Sequence, residues 1–147
     1  MRRLSNKRSI ARALLAIVKS GEHYNQGSWF SHVVFSGNET GTMTGGQIRR
    51  VFEANVCGTT ACVAGHAAVL TLPKNAAYDW NCEGITMPDG TTRYLHNYAA
   101  EVMGLSKTEA DWLFGANRKV KDVINALELL ASGKSVAHLV YDDDALA

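Results

Sequence analysis

Cys57-Gly58-Thr59-Thr60-Ala61-Cys62-Val63-Ala64-Gly65-His66-Ala67-Ala68 is the stretch whose reading decides the fold. Ala61, Ala64, Gly65, Ala67 and Ala68 make a helix thin enough for neighbouring backbones to approach closely, and a helix that is apolar all round is a buried one. Thr59 or Thr60 is placed to cap its start, because a side-chain oxygen accepts an otherwise orphaned first-turn N–H. The helix is expected to run to about Leu72 and to stop before Pro73. Cys62 and His66 stand one turn apart on it and are its one polar interruption, so candidate chemistry begins there.

The rest of the chain supplies what such a helix needs around it. At 147 residues, with 46% hydrophobic and 20% charged, it has the length and apolar content for one domain with its own core, expected over 1–147 with 1–4 and 142–147 as flexible ends. The net charge of +1 hides an asymmetry: Arg2, Arg3, Lys7, Arg8, Arg12 and Lys19 precede the first acid, Glu22, and Asp142, Asp143 and Asp144 lie together near the other end. Three cysteines form an odd set, which excludes a complete disulfide framework and fits reduced thiols in a cytoplasm. The apolar stretch 10–18 is too short to span a bilayer and contains Arg12, so neither a membrane span nor a secretory signal is expected.

Before the central run, Ile10, Ala13, Leu14, Ile17 and Val18 make one apolar stripe, predicting a first helix from Ser5 to Ser20 ended by Gly21. The arm His23 to Phe30 carries aromatics without helical spacing, and Trp29 is its expected anchor in the core. Ser36 to Gly46 is rich in Gly, Thr and Asn with only Met43 apolar, the composition of a mobile loop or hairpin tip, with a short strand from Val33 to Phe35 leading into it. Gln47 to Ala54 reads as a short helix.

After the central run, Asn75 to Gly84 reads as an irregular connection carrying Tyr78, Trp80 and Cys82. Ile85 to Met87 and Thr92 to Tyr94 flank Pro88-Asp89-Gly90, predicting a β-hairpin as the one appreciable sheet. Three helical segments follow. The first ends at Gly104, the second opens with the capping box Ser106 to Glu109, and the third spans Lys119 to Ser132 before Gly133. A short terminal helix covers Val136 to Val140. The expected class is α+β, mainly α: a helical domain around a buried central helix with one small hairpin.

Several of these residues recur in a resemblance. Tyr24-Asn25-Gln26 with Trp29, the block Cys57 to Ala67, and Gly104-Leu105 followed by Leu113-Phe114 resemble a group of small uncharacterised proteins from bacteria and their phages. The resemblance covers roughly residues 20 to 115 and implies a helical fold without implying an activity. Members of the group often carry Trp after Ala-Gly, where this chain has His66.

Four functional expectations follow from the residues. Cys57, Cys62, His66 and Cys82 could hold zinc, with His23 or His32 as alternative donors, because zinc takes thiolate and imidazole ligands. Such a Cys/His module would contact nucleic acid through Arg2, Arg3, Arg8 and Arg12. Cys57 near a helix N-terminus could be a nucleophile, with His66, His96 or His138 as base and Asp79 or Asn97 as orienter. Ala100, Gly104, Leu105, Ser106, Ala110 and Leu113 fall near helix-turn-helix spacing, but Glu109 and Asp111 beside Lys107 suit a packed helix better than a DNA-reading one. The favoured expectation is non-enzymatic binding of a protein partner, a host factor that the chain would modulate, through loops bearing Met43 and Trp80.

Overall fold

Ten elements follow one another in the computed structural model, which describes residues 3–30, 41–54 and 60–140. They are α1 (Lys7–Ser20), β1 (Thr42–Thr44), α2 (Gly45–Glu53), α3 (Val63–Thr71), β2 (Ala77–Asp79), β3 (Gly84–Thr86), β4 (Thr92–Tyr94), α4 (Leu95–Met103), α5 (Lys107–Leu113) and α6 (Val120–Ala131). The class is α+β, mainly α, as the sequence predicts. The expected strand from Val33 to Phe35 lies outside the described residues.

The first helix begins two residues later than its apolar stripe suggests, because the Asn6 side chain accepts the Ser9 N–H at 3.1 Å and caps it there. Gly21, at φ 72, ends it in the left-handed conformation that glycine adopts without strain. Ile10, Ala11, Leu14 and Val18 are buried along one face, which packs against α6 and α3.

All nine residues of α3 are buried. The helix divides the core in two and serves both halves. Val63, Ala64, Ala67 and Leu70 join α1, α4, α5 and α6 in one cluster, and Ala68 and Val69 join α2 and the sheet in the other. Its start departs from expectation. Thr59 lies outside the described residues, and the N-cap is Cys62, whose side chain makes no capping hydrogen bond. The 23–30 arm holds this end instead: Ala61 N–H donates to the His23 carbonyl at 3.0 Å, Asn25 N–H to the Ala61 carbonyl at 3.0 Å, and Cys62 N–H to the Ser28 carbonyl at 2.8 Å.

The other end of α3 poses a sharper problem, since the last carbonyls of a helix have no partner within it and these are out of reach of solvent. Each of the four carbonyls from Val69 to Leu72 is met by a donor from another part of the chain. The Arg49 guanidinium donates to Val69 at 3.0 Å and Leu72 at 2.7 Å, Leu4 N–H to Leu70 at 2.8 Å, and Arg3 Nε to Thr71 at 2.8 Å.

The sheet corrects the expectation of a lone hairpin. The strands β3 and β4 do flank the Pro88-Asp89-Gly90 turn, but two further strands complete an antiparallel order β1-β2-β3-β4. Thr42 to Thr44, expected as mobile loop, and Ala77 to Asp79, expected as irregular connection, pair with each other in the register Met43 opposite Tyr78. Burial drives the pairing: Met43, Tyr78 and Ile85 lie side by side on the inner face, at 8%, 1% and 0% exposure. Thr44 then caps α2 at once, in a capping box with Gln47.

The last third follows its sequence signals closely. Gly104 at φ 72 ends α4, Ser106 and Glu109 form both halves of the capping box on α5, and Gly133 at φ 75 follows α6. Residues 137–140 are helical, with Val136 and Val140 in the larger core cluster. The helix-turn-helix spacing of α4 and α5 is met by core packing: Ala99, Ala100 and Met103 from one helix and Ala110 and Leu113 from the other join the same cluster.

Candidate functional site

From Ala61 to Ala68 the central block is buried in the core. Cys62 is 1% exposed, and burial pushes its thiol up to about 11. The Gly65 and Ala64 N–H groups at the helix start pull the other way without overcoming burial, and the Glu83 carboxylate adds to the rise. A thiol held there is protonated at neutral pH and is a poor nucleophile or ligand.

His66, one turn on, is 3% exposed. Its Nε2 lies against the His23 carbonyl, and because a carbonyl only accepts, Nε2 carries the proton and donates. The ring meets Phe52 edge-on with centroids 5.1 Å apart. Burial drives the imidazole pKa down to about 4, outweighing the His23 carbonyl bond, so the ring is neutral at pH 7. With Nε2 committed to backbone, His66 is a half-polar packing residue rather than an available base.

Cys57 lies outside the described residues, as do His32 and Arg2. Cys82 is exposed beside the sheet, whereas Cys62 is buried. Among the described residues no three His, Cys, Asp or Glu side chains form a group that could hold a metal ion, so Cys62, His66 and Cys82 do not converge. His23 packs edge-on against Phe52 at 6.4 Å, and His138 is exposed.

His96 has more chemistry around it. Its Nε2 lies 2.9 Å from Asp111 Oδ1 but off the line of a hydrogen bond, and its ring sits between Trp29 and Phe114. No described thiol joins this pair in a metal-holding group.

The basic residues in and before α1 are partly structural too. Arg3 is spent on the Thr71 carbonyl. Arg8 lies so close over Gly133 that a Cβ there would meet its Nη2 at 2.2 Å, and Arg12 is exposed. No helix among the described residues is long and apolar enough to cross a membrane.

An open groove lies on the outer face of the sheet, and sequence reasoning reached it only at its edges. Residues paired across an antiparallel sheet point to the same side, so the row Asp79, Gly84, Tyr94 and the row Ala77, Thr86, Thr92 both face outward while Met43, Tyr78 and Ile85 face the core. Asp79, Cys82, Gly84, Thr86, Thr92, Tyr94 and Asn97 line a groove of about 600 Å3. Tyr94 is 65% exposed on one side, and Trp80, just past Asp79, is 39% exposed. Asp79 and Asn97, expected as orienters of a catalytic histidine, stand at this groove instead.

Gly84 makes the groove's floor: a Cβ added there would meet only Cys82 Sγ, at 3.1 Å. Met43 was expected at a partner surface, but its strand pairing turns it to the core, where it cannot reach a partner in the folded chain. Trp80 keeps an exposed position, lying over Gly41 at the same end of the sheet. Tyr94, Thr86 and Thr92 were missed as site residues, though the alternation Thr92-Arg93-Tyr94 held the signal. On a strand whose middle residue faces inward, its neighbours face out.

Asp79 supplies the carboxylate of the groove. The carboxylates of Glu83 and Asp79 lie close enough to Tyr78 to add to the effect of burial and raise its phenol pKa. Arg93, the cation at the groove, is paired with Glu101, and its guanidinium lies 5.8 Å from the Tyr98 ring centroid. No protein-family model, curated protein or solved structure matches the chain.

Proposed function

We propose that the chain is a protein-binding module without catalysis of its own: a cytoplasmic accessory protein of a bacterium or its phage that modulates a host factor. The observation that carries this reading is the open groove on the outer sheet face, lined on one side by the exposed ring of Tyr94. Exposed aromatics beside a concavity are the usual anchors of a protein interface. The helix bearing Cys62 and His66 serves as the rigid support behind that sheet, its two reactive side chains withdrawn from solvent.

Affinity capture from bacterial lysate with three forms of the full chain tests this. The wild type and a Glu128→Gln control, altered far from the groove in α6, should recover the same partner in near-equimolar amount, and Thr92→Arg should lose it. Recovery of nothing, or of the same partner by Thr92→Arg, would contradict the reading.

A further inference from the structure

The geometry points to an arginine side chain of the protein partner as what the outer groove receives, seated between the Asp79 carboxylate and the Tyr94 ring. This inference rests on the protein-binding reading above and adds the chemistry of recognition.

Spacing is the first argument. Asp79, Gly84 and Tyr94 lie in one row across three adjacent strands, so the backbones of Asp79 and Tyr94 are separated by two strand spacings, roughly 10 Å in all. Between them Gly84 contributes no side chain, and its Cβ position is bounded only by Cys82 Sγ. The slot is therefore one residue wide, with a carboxylate on one wall and an aromatic ring on the other. A flat group that stacks on a ring and forks to a carboxylate fits it.

Charge is the second. Asp79 Oδ1 accepts the Asn81 N–H at 2.9 Å, which fixes the carboxylate beside the slot. Arg93 also borders the groove, but it belongs to the inward row opposite Ile85, lies beside Tyr98 and is paired with Glu101. A cation is favoured there, and a phosphate or carboxylate ligand would meet repulsion.

Hydrogen-bonding capacity separates the two protein cations. Guanidinium offers five N–H donors in a rigid plane and stacks on aromatic faces, whereas ammonium is a compact, strongly hydrated point charge. Asp79, Thr86, Thr92 and Asn97, each with an oxygen that can accept, line the groove together with Tyr94. Several acceptors spread around a flat slot match arginine better than lysine.

The test titrates the isotope-labelled full chain with N-acetyl-Gly-Arg-Gly-amide and its Lys and Gln analogues. A random dodecapeptide library is selected in parallel on the same protein. The expected result is amide shifts centred on Asp79, Gly84 and Tyr94 with the Arg peptide and several-fold weaker binding of the Lys peptide. Affinity should fall at least tenfold in Asp79→Asn and Tyr94→Ala and stay unchanged in Glu128→Gln, with all three variants keeping native spectra.

Equal binding of the three peptides, or shifts elsewhere, would overturn the arginine site. Library peptides that lack arginine yet lose affinity in Tyr94→Ala would overturn it while leaving the protein-binding reading intact. Failure of the library to yield any groove-dependent peptide would overturn both.

Discussion

The carbonyl oxygen of Trp29 occupies the space where residue 65 would carry a Cβ: built on Gly65, that atom would stand 2.0 Å from it. The 23–30 arm crosses α3 at backbone contact distance, and the arm's hydrogen bonds to Ala61 and Cys62 depend on that approach. Gly65 is required here for lack of volume.

Replacing Gly65 by Ala should therefore destabilise the fold. In an open helix the change gains about 1 kcal/mol of propensity. Here the clash is with backbone, which cannot move aside like a flexible side chain, and a loss of roughly 2–3 kcal/mol is expected. Urea unfolding should show a lowered midpoint with an unchanged slope, and a midpoint at or above wild type would refute the close crossing.

Arg49 is 8% exposed and bonded through Nη1 to two carbonyls at the end of α3. Arg49→Met keeps the apolar stem and removes the donors, leaving both carbonyls unsatisfied, at a cost of about 3 kcal/mol. Arg49→Lys should fall between, since one ammonium cannot reproduce the planar reach of guanidinium. Thermal unfolding of the three proteins should rank them in that order.

His66 gives stability a pH dependence. Its pKa is about 4 in the folded chain, below the ordinary imidazole value of 6.5. Between those values the unfolded chain binds the proton and the folded chain does not, so stability falls as pH drops below 6.5 and this loss is complete below 4. The total is about 3 kcal/mol. The difference in unfolding free energy between wild type and His66→Gln should shift in the variant's favour from pH 7 to pH 5, and a constant difference would show that His66 is not buried neutral.

Tyr94 should behave in the opposite way to these three. At 65% exposure its ring contributes little to the core, and Tyr94→Ala should change unfolding free energy by no more than about 0.5 kcal/mol. A large loss would mean that the ring is a structural contact, and it would cease to be a binding anchor.

Much of this fold is legible residue by residue. Gly21, Gly104 and Gly133 mark helix ends, Ser106 and Glu109 mark a start, and the Ala-rich run after Cys62, polar only at His66 and Thr71, announces a buried helix; each signal is local in the chain. The first two strands, β1 and β2, are not legible in this way. Each is three residues long with a single buried side chain, Met43 or Tyr78, too short for alternation to emerge, and they pair across more than thirty residues.

Arg49 was hidden for a related reason. It shares a buried face with Ile48 and Phe52, so its place one residue after Ile48 and three before Phe52 was a faint signal, but its partners are carbonyls that only folding brings near. The site was legible in part: Asp79, Asn97 and Cys82 stand out by type, while the groove they line depends on register, which sets Gly84 between Asp79 and Tyr94.

Helix α3 is buried scaffold, and the outer face of the sheet is open to solvent. Site-resolved alkylation in native buffer at pH 8, followed by mass spectrometry of the Cys62 and Cys82 peptides, tests both halves at once. Cys82 should react at the rate of an exposed thiol. Cys62, with its thiol pushed up to about 11, should react at least about a thousand-fold more slowly, because modification must wait for an opening that costs a large part of the folding free energy. Comparable rates at the two thiols, or protection of Cys82 in the unliganded protein, would contradict the account.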